Sequence, residues 1–216
     1  MIPKTDTEAY TMFPGLRHWY NKLWLSEQLG YNCGPAGIAP NVSAAYIIRP
    51  ITNLVGMSVG ATIKWIHKGD ERAVEPGYFW CELFEGPQIS VDYQWEGRWV
   101  PVSAWEATVD VDTLYKFKKW VRTDTYPELG LFYDEIADHN VSRINVEFID
   151  GNPIEVHLRG SPDPDYDELI PIWKGEEKNV AIFKELGYLY ITDYDDADGY
   201  ISHPRVGFMA KNNKET

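Results

Sequence analysis

One stretch restricts the fold of this chain more than any other: Ser142 to Arg159, SRINVEFIDGNPIEVHLR. Two short runs alternate apolar and polar residues, Ile144 to Ile149 and Pro153 to Leu158, and Asp150-Gly151-Asn152 joins them. Asp-Gly between alternating runs signals a hairpin, because glycine takes a positive φ without a Cβ penalty. With a three-residue loop the cross-strand partners are 149/153, 147/155 and 145/157. Side chains alternate with period two, so Asn145, Glu147, Glu155 and His157 share one face, which Arg143 and Arg159 extend. Ile144, Val146, Phe148, Ile154, Val156 and Leu158 take the other face, the one expected to turn to the core. A one-residue change in the loop would pair Glu147 with Ile154 and dissolve the polar group, so the register is an expectation for the structure to test.

Two carboxylates and an imidazole across one ladder repel, or go unused, unless something positive sits between them. Oxygen-rich ligands with one imidazole suit Mg²⁺ or Mn²⁺, and flanking arginines suit phosphate oxygens that share the metal. A solvated outer face is the other reading, and the hairpin by itself leaves both open.

A sheet with one apolar face needs a core to bury it. The 216 residues are 44% hydrophobic, with nine Trp, fourteen Tyr and eight Phe, enough for one domain with two lobes. The net charge of −13, with acidic residues concentrated after Asp163, argues against a nucleic-acid binder while allowing a local basic pocket. No apolar run reaches the roughly 18 residues of a membrane helix. The first residues carry Lys4, Asp6, Glu8 and Arg17 rather than the apolar core of a signal peptide, so a cytoplasmic protein without membrane partners is expected. Cys33 and Cys81 then read as free thiols.

Ahead of the hairpin, residues 1–15 lack periodicity, and a helical stripe runs from Leu16 to Leu29 and stops at Gly30. Strands are expected at 45–50, 61–67, 78–84, 88–95 and 99–109, with Asn53 to Gly60 as a glycine-bearing loop between the first two. A helical stripe over 112–122 and a second helix within 126–140 lead into the hairpin. After it come a short strand at 170–173, a helix at 180–186, strands at 188–193 and 207–210, and an acidic turn at 193–199. That turn lacks the bidentate glutamate of a calcium loop. No Ser or Cys nucleophile has a base at a convincing spacing.

Taken in order, four separated motifs resemble the ATP-grasp superfamily, specifically its carboxylate–amine ligases of the D-alanine–D-alanine ligase and RimK kinds. Tyr20-Asn21-Lys22-Leu23 is similar to the family's phosphate-contacting lysine helix. Tyr46-Ile47-Ile48-Arg49-Pro50 with Gly56-Met57-Ser58-Val59-Gly60 resembles its basic strand and flexible phosphate loop. Cys81 to Gln88 resembles its adenine hinge, and Arg143 to Val146 with Glu155 to Arg159 its metal-binding strands. The likeness covers residues 20–160.

The resemblance implies an α+β fold of two lobes with antiparallel sheets around a nucleotide, near residues 16–100 and 101–216. It implies ATP and Mg²⁺ (or Mn²⁺) as cofactors. Lys22 and Arg49 would hold phosphate oxygens, and Gly56, Ser58 and Gly60 would belong to the loop that closes over them. The Glu82 and Phe84 backbone would bind adenine, with Gln88 near the ribose. Asn145, Glu147, Glu155 and His157 would hold the metal, and Arg143, Arg159 and Arg49 would face the transferred phosphate. The activity implied is activation of a carboxylate as an acylphosphate for attack by an amine. Positioning and electrostatics carry such phosphoryl transfer, which suits a site of cations and carboxylates.

Four residues depart from the family's pattern: Arg49 for lysine, Asn145 for the first metal-binding aspartate, His157 for asparagine and Gln88 for glutamate. Glu147 lies on the same face as Asn145 and is the candidate to replace it. With about twenty residues ahead of Lys22, the family's preceding α/β domain is not expected here. The site for a small-molecule or peptide acid and an amine is then expected from residues 95–122, from the segment after Ser161, or from another chain or second copy. Two further readings stand beside the ligase: a degenerate module that binds nucleotide or a protein without catalysis, and a kinase that phosphorylates a hydroxyl.

Overall fold

Strands dominate because the apolar runs of this chain are short and rich in β-branched and aromatic residues. The computed structural model describes residues 2–56, 58–109, 113–114, 116–192 and 203–212. The acidic turn, the last residue of the strand expected at 188–193, residues 112 and 115 of the stripe at 112–122 and most of the polar tail lie outside them.

Four strands form the first antiparallel sheet: β1 (Cys33–Pro35), β2 (Ala44–Pro50), β3 (Thr62–Ile66) and β4 (Tyr78–Glu82), in the order β1-β4-β2-β3. The second comprises β5 (Gln88–Trp95), β6 (Trp99–Val109), β7 (Phe117–Arg122), β8 (Arg143–Ile149), β9 (Asn152–His157), β10 (Glu168–Trp173), β11 (Leu189–Thr192) and β12 (Arg205–Lys211). Its order is β11-β12-β10-β7-β6-β5-β8-β9, antiparallel throughout. The helices are short: α1 (Asp6–Met12), α2 (Lys22–Gln28), α3 (Asp134–Asp138) and α4 (Asn179–Glu185). The fold is α+β with antiparallel sheets, and the chain passes from one sheet to the other at residues 83–87. Cys33 and Cys81 are free and are register partners across β1 and β4.

The hairpin of β8 and β9 keeps its expected pairs at Asn145/His157 and Glu147/Glu155, by a different route. Asp150 and Gly151, at φ 50° and 75°, make a two-residue turn, so Ile149 pairs with Asn152 rather than with Pro153. A bulge between the 147/155 and 148/153 pairs then absorbs Ile154 and restores the register. Ile154 leaves the core face and turns to a cavity between the sheets, while Ile144, Val146, Phe148, Val156 and Leu158 are buried as expected.

Those residues pack with Ile89, Val91 and Tyr93 of β5 beneath Leu16, Trp19, Tyr20, Leu25 and Ile136, so the helices cover one face of the second sheet. Its opposite face carries the polar residues of the hairpin.

Three sequence expectations change. The stripe from Leu16 is two pieces, a 3₁₀ helix over Pro14–Tyr20 and then α2, because Asn21 caps the second by accepting from the Trp24 N–H at 2.9 Å. Residues 6–12, without periodicity, form α1 because Thr5 accepts from the Glu8 N–H while Glu8 accepts from the Lys4 N–H. Residues 117–122 are a strand instead of a helix. They fill the ladder between β6 and β10, and pairing on both sides overrides a spacing of Phe117, Trp120 and Val121 that also fits a helix.

Candidate active site

Strand register aligns the polar face into rows. His157, Asn145 and Asp92 lie in one, and Glu155, Glu147, Ser90 and Trp105 in the next. A cavity of about 330 Å³ opens above them, lined among others by Ser90, Asn145, Glu147, His157 and Arg159 and roofed by Val55 and Gly56 of the glycine loop. Beyond the loop a second cavity of about 480 Å³ lies between the sheets, walled by Arg49, Ser58, Glu82, Phe84, Gln88 and Ile154. Gly56 and Ser58 adopt φ of 69° and 49°, so the loop bends between the two cavities at residues in the left-handed region.

The charges are organised by a residue outside the hairpin. Asp6, buried at the start of α1, accepts from Arg159 and pairs with His157 Nδ1, both at 2.8 Å. Burial alone would raise its carboxyl, but His157 and Arg159 outweigh that and hold it below the ordinary carboxylate range. Burial would likewise lower His157, but the Asp6 carboxylate raises it to about 10, so the imidazole is a cation at neutral pH. Its Nε2 lies 3.8 Å from Glu147 and 4.0 Å from Glu155. Glu155 receives the Lys22 ammonium at 2.7 Å; that cation overcomes the burial that would raise the carboxyl and keeps it lowered.

Neither a protein-family model nor a curated protein sequence matches the chain. Solved structures do. N5-carboxyaminoimidazole synthetase from Staphylococcus aureus, complexed with ADP, aligns with a TM-score of 0.60 at 8% identity, over 93% of this chain and 69% of its own. Carboxyaminoimidazole ribonucleotide synthase from Aspergillus clavatus, complexed with ATP, aligns with a TM-score of 0.55 at 9% identity, over 93% and 70%. A protein from Archaeoglobus fulgidus assigned to the ATP-grasp superfamily aligns over 91% and 65% at 14% identity and a TM-score of 0.48. The chain has the ATP-grasp fold. It spans about two thirds of the length of each of these structures.

Within this ATP-grasp fold the sequence-derived residues distribute unevenly. Arg49, Ser58, Glu82, Phe84 and Gln88 meet in the larger cavity, and Gly56, Asn145, Glu147, His157 and Arg159 in the smaller. Gly60 packs against Tyr78 and Pro50 beside the loop. Lys22 lines neither cavity and is committed to Glu155. Arg143 is drawn aside: its guanidinium donates to the buried Asp92 at 2.7 Å and does not line the cavity. Asn145 donates to Ser90 at 2.9 Å and Asp92 at 3.0 Å, which holds its amide away from Glu147 and Glu155. No group of three or more His, Cys, Asp or Glu among the described residues is arranged to hold a metal. His157 gives its Nδ1 to Asp6, which leaves Nε2 as the ring nitrogen on the side of Glu147 and Glu155.

Two observations fit the site to an anionic ligand. Arg49 Nε and Arg159 Nε are buried donors without a hydrogen-bond partner among the described residues, and each belongs to a residue lining one of the cavities. Asp6, Ser90 and Asp92 were missed in the sequence. The capping pattern Thr5-Asp6-Thr7-Glu8 and the alternation of Gln88, Ser90, Asp92 and Gln94 with apolar neighbours were the available signals.

Proposed function

We propose that the chain is an ATP-dependent ligase that activates a carboxylate as an acylphosphate for attack by an amine. One observation carries this reading: a glycine-bearing loop joins an apolar cavity beside residues 82–84 to a charged cavity, and each is lined by an arginine with an unpartnered buried Nε. Adenine would occupy the first cavity against the Glu82–Phe84 backbone, with Gln88 near the ribose, and the phosphates would pass under the loop. Arg49 and Arg159 would hold phosphate oxygens, and Lys22 would exchange Glu155 for one of them. Arg143 positions Asp92.

Glu147 and Glu155, directly opposite across the ladder, are the oxygen donors that would hold Mg²⁺. When bound, the ion neutralises charge on the phosphoryl oxygens. His157, held as a cation by Asp6, stabilises charge on the phosphoryl group in flight and does not act as a base. In the first step a carboxylate oxygen bonds to the γ-phosphorus, and the bond to the bridging β–γ oxygen breaks, releasing ADP. In the second the amine nitrogen bonds to the acyl carbon, phosphate leaves, and the amine proton passes to solvent.

A non-catalytic nucleotide-binding module is the second reading, supported by the amide of Asn145 being tied to Ser90 and Asp92 where the family has a metal-binding aspartate. ADP and phosphate release, measured with candidate acids and amines, separates the two. The ligase reading expects acid-dependent release that falls at least about a hundredfold in Glu147→Gln, the range for loss of one stabilising group. ATP binding without release would leave the module. A stable phosphorylated product in place of an amide would indicate a kinase.

A further inference from the structure

We infer that the acid handled here is a monoacid with an apolar or aromatic body, held against Trp105, Trp120 and Leu169 at the far end of the charged cavity. This rests on the ligase reading and adds the class of acid to it. The 330 Å³ space does not end at the charged group, because Trp105, Trp120 and Leu169 line it too. Ser90 pairs with Glu147 on one side and Trp105 on the other, and Trp120 pairs with Leu169. The sheet face therefore changes from charged to aromatic over two strand spacings of about 4.8 Å, with Ser90 between them, so the Glu147 backbone stands roughly 10 Å from that of Trp105 across the sheet. Side chains reach in from both ends of this face, and the gap left between them suits a one-ring carboxylic acid, with its carboxylate beside His157 and Arg159 and its body on the indoles. The volume is near the lower end for small-molecule sites, about 300–1,000 Å³, and favours one ring over a peptide.

The indoles are fixed from behind. Trp105 donates its Nε1–H to the Tyr166 carbonyl at 2.9 Å and carries Arg122 over its ring at 4.9 Å, while Trp120 packs on Phe117 at 4.7 Å. A rigid aromatic wall loses little conformational freedom when a ring packs against it. Among the described residues, the cations at the rim offer little to a second carboxylate. Arg205 is engaged by Asp163 at 3.1 Å and lies 4.2 Å from the Phe208 ring centre. Lys4, at the opening, is exposed, where an ion pair contributes little.

The test is a titration of the full chain, labelled at its indole nitrogens, with phenylacetate and with succinate, without nucleotide and again with Mg²⁺ and a non-hydrolysable ATP analogue. Trp105→Phe and Trp120→Phe assign the two indole signals, and the Leu169 methyl signals report the same contact if either variant does not fold. In at least one condition phenylacetate is expected to move these signals and to bind at least about tenfold more tightly than succinate, a difference of about 1.4 kcal/mol. Equal or tighter binding of succinate, or no movement at all three residues in both conditions, overturns the inference. The nucleotide-free arm stands whether or not ATP is turned over, and the analogue's effect on the Glu82–Phe84 signals reports separately on the ligase reading.

Discussion

Asp6 holds together a group of charges that the hairpin could not sustain alone. Replacing it with Asn takes from the buried His157 and the partly buried Arg159 the carboxylate they share, and loss of one partner from such a set costs about 3–5 kcal/mol. Urea denaturation of Asp6→Asn near neutral pH should show that loss; a change below about 1 kcal/mol would mean the carboxylate is dispensable. The same residues set a pH dependence. His157 is raised from its ordinary 6.5 to about 10 in the folded protein, so its contribution is complete below about pH 6.5 and fades as pH rises toward 10. The urea midpoint of the wild type should fall across that window, and Asp6→Asn should flatten the fall. Strand alternation put Glu155 and His157 on one side of their strand and Glu147 on one side of its own, and the register of the hairpin brought the two sides together. Asp6 was not legible in the sequence, since its partner His157 lies 151 residues away and nothing local joins them.

At the scale of elements, the polar face of the hairpin depends on a turn and a bulge that correct for each other. Alternation gave the pairs at 145/157 and 147/155, but could not distinguish a three-residue loop from a two-residue turn followed by a bulge at Ile154. Gly151, at φ 75°, lets the tighter turn form, and Gly151→Ala should cost about 1 kcal/mol, read as a lower thermal midpoint. An unchanged midpoint would show that the turn tolerates a side chain. Strand β7 shows the opposite limit. Phe117, Trp120 and Val121 fit a helical stripe, and only the open ladder edges of β6 and β10 decide for a strand.

For the whole molecule, the two sheets and the crossing at residues 83–87 bring Arg49 of β2, the glycine loop and Gln88 of β5 around one cavity. The order of the motifs made this arrangement readable before any geometry, whereas the continuation of the site over Trp105, Trp120 and Leu169 depended on the order of strands in the second sheet. The central claim is that a nucleotide triphosphate binds between the sheets with Arg49 on its phosphates. Calorimetric titration with Mg²⁺ and a non-hydrolysable ATP analogue tests it most directly, on the wild type and on Arg49→Ala with matched thermal unfolding. Saturable binding at one site per chain is expected, weakened at least about tenfold in the variant, or about 1.4 kcal/mol. No binding by the wild type, or undiminished binding by a folded Arg49→Ala, would contradict the claim.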